Sequence, residues 1–128
     1  LAEAAFKAIE ISDPDKAINN KDKILNAPYR APLIIVVIAS VNKESRIPEV
    51  EQILSAGAAA QNILIACHSL GYSAIWRTGF LSFNEQVSLS FGLNKNDIIV
   101  GYLYIGSNEK KIEAPEVSNI NDFVQKWS

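Results

Sequence analysis

The sequence predicts an α/β (α+β) fold, a largely antiparallel sheet flanked by helices in a three-layer arrangement. Two runs carry the sheet: Pro32-Leu33-Ile34-Ile35-Val36-Val37-Ile38-Ala39, and Asp97-Ile98-Ile99-Val100-Gly101-Tyr102-Leu103-Tyr104-Ile105-Gly106. They are the longest β-rich stretches in the chain, and both have the composition of buried strands. Between them lies a long Ala-rich helical stretch that stops at Gly71. The expected centre of the sheet is the first run paired with the second. A chain of 128 residues can bury one core and not two, so residues 1–128 read as a single domain.

Residues 1–11 carry apolar side chains at Leu1, Ala4, Ala5, Ala8 and Ile9, which is helical spacing. Asp13-Pro14 is an N-cap followed by proline at the first helical position, and predicts a short polar helix through Leu25, ended by Asn26-Ala27-Pro28. The continuous β-branched run 32–39 is the pattern of a strand covered on both faces in mid-sheet. After a polar loop at 42–47, Pro48 with Glu49 and Glu51 opens the long helix, the acids favouring its positive end.

That helix is small on every side across Ser55-Ala56-Gly57-Ala58-Ala59-Ala60 and apolar nearly all round across Ile63–Cys67. A helix apolar on more than one face must be covered on more than one face. Residues 52–70 are therefore expected to contribute to a dimer interface. Residues 72–77 form the next strand. Ser82 with Glu85 three residues on reads as a capping box opening a short helix, which Gly92 ends. Gly101 inside the last strand marks a bulge or a close approach. In the tail, Phe123, Val124 and Trp127 are expected to dock an extended arm.

Apolar content of 48% and charged content of 20% are globular values and exclude wholesale disorder. With a net charge of −2 and scattered Lys and Arg, there is no footprint for nucleic acid, and Lys110-Lys111 reads as a solvated loop. The apolar run 33–39 is far too short to span a bilayer, so no membrane partner is expected. Cys67 is the sole cysteine, which excludes an internal disulfide or a Cys-x-x-Cys site and fits a reducing, cytoplasmic location. The chain starts at Leu1, contains no Met, and has no capping residue before its first helix. These features predict that residues precede Leu1 in the intact protein.

Few constellations carry chemistry. His68 is the only histidine and has no sequence partner for a dyad or a metal; Cys67 beside it points about 100° away on a helix. Gly-x-Gly-x-x-Gly and Walker patterns are absent, and Glu49 and Glu51 lie on different helix faces. No catalytic side chain and no metal ligand is assigned. What remains is Trp76-Arg77-Thr78-Gly79 at the exit of a strand. An aromatic, a guanidinium, a hydroxyl and a glycine there make either an ordinary strand end or the edge of a site for a flat, polar, anionic ligand. An enzyme without its own nucleophile–base pair or metal borrows its chemistry from a cofactor.

The order of these elements, with Asn26-Ala27-Pro28-Tyr29-Arg30-Ala31-Pro32, then Gly-Tyr-Ser-Ala-Ile-Trp-Arg-Thr-Gly, then Ile-Ile-Val-Gly-Tyr-Leu-Tyr-Ile-Gly, resembles the nitroreductase family. The likeness is to its small members carrying Trp-Arg-Ser/Thr-Gly after the long helix, and it runs from Asn26 to Gly106. The resemblance implies an FMN enzyme, an intertwined homodimer with the flavin at the interface. It would pass a hydride from NAD(P)H through the flavin to nitroaromatic, quinone or similar acceptors. It also implies that Trp76, Arg77, Thr78 and Gly79 are the cofactor-contacting residues, and that Gly101 and Gly106 are structural glycines of the last strand. The family's Arg-Arg-Ser-type phosphate-holding segment has no counterpart in these residues. The alternative is a cofactor-free dimeric binding or scaffold module of the same fold.

Overall fold

The computed structural model describes residues 1–107, 116 and 118–127. The first helix, α1 (Ala2–Ser12), buries Ala5 and Ala8. Helix α2 (Pro14–Asn19) opens as its sequence predicts, with the Asp13 carboxylate accepting from the Lys16 N–H at 3.0 Å. The expected single helix through Leu25 is in fact two: α3 (Lys21–Asn26) follows a break at Asn20, whose φ of −124° is not helical. The Asn20 side-chain amide donates back to the Lys16 carbonyl, a local bond that competes with the backbone ladder. A 3-10 turn, Ala27–Arg30, then leads into the sheet.

Strand β1 (Leu33–Ser40), helix α4 (Glu49–Ser69), strand β2 (Ser73–Arg77), helix α5 (Glu85–Ser90) and strand β3 (Asp97–Gly106) complete the order, with a 3-10 turn at Phe80–Phe83 between β2 and α5. The sheet is antiparallel throughout, in the order β1-β3-β2. The expected pairing of β1 with β3 is present, from Leu33↔Ile105 to Ser40↔Asp97. The expectation that both strands are central is corrected, since β3 alone is internal and β1 lies at an edge. Its apolar run reflects cover on both faces instead of a place in the strand order. Ile34 and Val36 pack toward α1 and α5, while Ile35 and Val37 pack toward α4.

Two small cores result. One holds Ala8, Val87, Ile99 and Tyr102 between the sheet and α1/α5, the other Ala60, Cys67, Leu103 and Ile105 under α4. Leu103 is fully buried at the middle of the central strand. Cys67 is thus a packing residue, and His68 is exposed on the opposite side of α4 from the sheet. Only Ala60 and Cys67 of α4 are fully buried; Val50, Leu54 and Ile65 are 59, 65 and 55% exposed, so this chain covers one face of the helix and leaves another bare. By length and composition α4 could cross a membrane; its contacts with all three strands make it the cover of one sheet face.

The start of α5 differs from its sequence reading. Asn84, not Ser82, is the cap, its side chain accepting from the Gln86 and Val87 N–H groups. Ser82 is buried within the preceding 3-10 turn. Gly71 and Gly92 close α4 and α5 with φ of 80° and 68°, each in a paired terminal bond pattern such as Tyr72 N–H to the Cys67 carbonyl. Phe123, Val124 and Trp127 are 77, 63 and 91% exposed and do not dock on this chain, contrary to expectation. Lys110 and Lys111 lie outside the described residues.

Candidate functional site

Strand alternation divides the Trp-Arg-Thr-Gly segment between the two faces of the sheet. Trp76 turns toward α4 and packs with Ile63, Leu64 and Leu103 in the second core. Its indole N–H donates to the Val100 carbonyl at 3.2 Å. Val100 is the bulged residue of β3, since Val37 pairs with Gly101 and Ile38 with Ile99. Gly101 allows the indole to lie there; a Cβ at that position would meet Trp76 Nε1 and Cδ1 well inside van der Waals distance. The sequence reading of Gly101 as bulge or close approach holds on both counts. Trp76 does not offer a ring to a ligand; it fastens β2 to β3 and to α4, where Gly57 meets the far edge of the indole.

Ser73, Ile75 and Arg77 face the other way. Ile75 pairs with Tyr104, Arg77 with Tyr102 and Ser73 with Gly106. On this face α1 and α5 cover the residues of β1 and β3 and leave β2 uncovered, so Ile75 is 53% exposed. The result is an open groove of about 520 Å³ with Ile75 and Tyr104 in its floor and Arg77 on its wall. The turn before β1 brings Arg30 to the same groove, together with the Ser73 and Ser107 side chains. Among the described residues neither arginine has a carboxylate within ion-pair distance; the one pair found is Lys43–Glu49. Two exposed guanidiniums beside an apolar floor suit a flat ligand carrying negative charge. That donor set fits FMN.

Arg30 was not legible as a site residue. Its link to Arg77 needs the pairing of Pro32 with the far end of β3, where the Pro32 ring lies against Gly106. The only local signal is its place between Pro28 and Pro32 in a segment that cannot be helical throughout.

Thr78 and Gly79 continue beyond β2 and are exposed. Gly79 takes φ 97° and ψ −162°, a region that side-chain-bearing residues rarely adopt, and starts the 3-10 turn through Ser82 N–H to Gly79 carbonyl. Tyr102 secures this turn from below, its hydroxyl donating to the Leu81 carbonyl at 3.2 Å. Burial, with a smaller contribution from Tyr104, pushes the Tyr102 phenol up to about 12, so it stays a donor at all ordinary pH values.

The sequence profile of the nitroreductase family matches residues 1–107, and the chain belongs to that family. The Escherichia coli (strain K12) protein named "Putative NAD(P)H nitroreductase YdjA" is 42% identical over 104 residues, covering 81% of this chain and 55% of its own length. The chain thus spans about half the length of that relative. Among solved structures, a nitroreductase-like family protein of Bacillus cereus shares the fold with a TM-score of 0.73 at 22% identity, over 97% of this chain and 66% of its own. A Desulfovibrio desulfuricans protein solved in complex with FMN does so with a TM-score of 0.62 at 21% identity, over 81% and 58%.

Proposed function

We propose that the intact protein is an FMN-dependent oxidoreductase passing a hydride from NAD(P)H to nitroaromatic, quinone or similar acceptors. The carrying observation is the arginine-walled groove at the exit of β2 in a nitroreductase-family chain. The FMN-bound relative and the NAD(P)H named in the YdjA description support the reading. When bound, FMN supplies the two-electron chemistry that no side chain of this chain can supply. Arg77 would hold polar atoms of the cofactor by charge-assisted hydrogen bonds. Thr78 and Gly79 would lie along its edge, held in place by the Tyr102–Leu81 bond, while Trp76 fixes the strand from behind. The bare face of α4, with Val50, Leu54 and Ile65, belongs in this reading to the homodimer, and the cytoplasm is its compartment.

A flavin titration of the intact protein tests it. Arg77→Ala should weaken FMN affinity about ten- to a hundredfold, for the loss of roughly 1.5–3 kcal/mol. His68→Ala should leave turnover on a quinone acceptor unchanged. Wild-type affinity in Arg77→Ala, with turnover abolished in His68→Ala, would refute the site. If the intact wild type takes up no flavin, the protein is a non-catalytic module of the same fold.

A further inference from the structure

Arg30 is the residue of the groove that no motif accounts for. We propose that Arg30 anchors the phosphate monoester of FMN at the Gly106 end of the groove, leaving Arg77 to the polar edge of the ring at the other end. The proposal rests on the flavin reading above and assigns the cofactor a direction along β2.

Three observations set that direction. The first is spacing. Ser73 pairs with Gly106, and the Pro32 ring abuts Gly106, so Arg30 joins the groove at the Ser73 end of β2. Arg77 lies four residues further along the strand, about 13 Å away for an extended chain. One small anion cannot meet both guanidiniums across that distance; an elongated ligand with polar groups at both ends can.

The second is the donor inventory. The Arg30 end carries a guanidinium together with the hydroxyls of Ser73 and Ser107, whereas the Arg77 end offers a guanidinium alone. A phosphate monoester presents three strong acceptor oxygens and favours the end with several donors. Ile75 and Tyr104 form the floor between the two ends, which suits the uncharged middle of the ligand.

The third is preorganisation. Arg30 closes a 3-10 turn beginning Ala27-Pro28, and Ala31 after it is extended (φ −136°, ψ 147°) into Pro32. Two prolines within five residues restrict the backbone that carries the guanidinium, so binding costs less ordering there than on a free loop. Among the described residues no carboxylate competes for it.

The experiment compares FMN with riboflavin, which lacks the phosphate, by fluorescence titration of the intact protein and its Arg30→Gln, Arg30→Lys and Arg77→Gln variants. Arg30→Gln should weaken FMN about ten- to a hundredfold and leave riboflavin affinity unchanged, so that the preference for FMN collapses. Arg77→Gln should weaken both flavins and preserve the preference. Arg30→Lys, which keeps the charge without the fork, should fall between wild type and Arg30→Gln, and it carries the test if the Gln variant does not fold. Unchanged FMN affinity in the Arg30 variants, or an equal loss for both flavins, overturns the anchor while the flavin reading stands. A wild-type protein that binds neither flavin overturns both.

Discussion

Trp76 and Gly101 act as one packing unit. The indole occupies the space a Cβ of residue 101 would need, and its N–H satisfies the bulged Val100 carbonyl, so two residues on different strands are specified together. Gly101→Ala should therefore cost about 3 kcal/mol, the upper part of the range for overpacking, because the indole must leave and its hydrogen bond with it. In a double-mutant cycle with Trp76→Leu, the Ala substitution should cost markedly less once the indole is gone. Urea unfolding of the four proteins measures this; additive losses would show that Trp76 is not what excludes a Cβ. The rescue will be partial, since the Arg77 carbonyl also lies 2.9 Å from that Cβ.

Helix α5 shows how one cap displaces another. Ser82 and Glu85 have capping-box spacing, but Gly79 starts a 3-10 turn that draws Ser82 inward, where its hydroxyl has no protein partner among the described residues. Asn84 then takes the helix start. Asn84→Ala should destabilise the protein by about 0.5–2 kcal/mol, the usual loss for a cap. Ser82→Ala should be neutral or slightly stabilising, because it removes a buried hydroxyl without a partner. Thermal unfolding of the two variants distinguishes the assignments, and the reverse ranking would restore Ser82 as the cap. The expected helix through Leu25 fails for a related reason, an Asn side chain bonding the backbone of its own helix at Lys16.

At the scale of the molecule, the unpartnered surface is the main feature. Val50, Leu54 and Ile65 recur along one side of a helix whose other side covers the sheet. An interface of the intact protein through this stripe should be sensitive to charge placed on it. Leu54→Glu with Ile65→Glu should convert a dimer to monomer in sedimentation experiments, since buried carboxylates without partners are costly to dimerise. Far-ultraviolet circular dichroism should stay unchanged, because neither side chain is buried in the chain itself. A wild-type protein that is monomeric at every concentration, or a double variant that remains dimeric, would remove α4 from the interface.

Local chemistry determined which segments became helices and strands. The β-branched run of β1, the Asp13-Pro14 start of α2, the small-residue helix α4 and the glycines closing α4 and α5 are each written in a few neighbouring residues, because caps, turns and periodicity act over one or two turns of chain. Arg77 was legible as a site residue on the same grounds, an exposed cation at a strand exit. Tertiary structure alone decided the strand order, the direction in which Trp76 points, and the meeting of Arg30 with Arg77. An apolar run reports that both faces of a strand are covered, and carries no information on which strand lies beside it. Arg30 and Arg77 are 47 positions apart in sequence (77 − 30) and share a groove only because β1 and β2 both pair with β3. That juxtaposition is a property of long-range hydrogen-bond register, which no local window of the sequence contains.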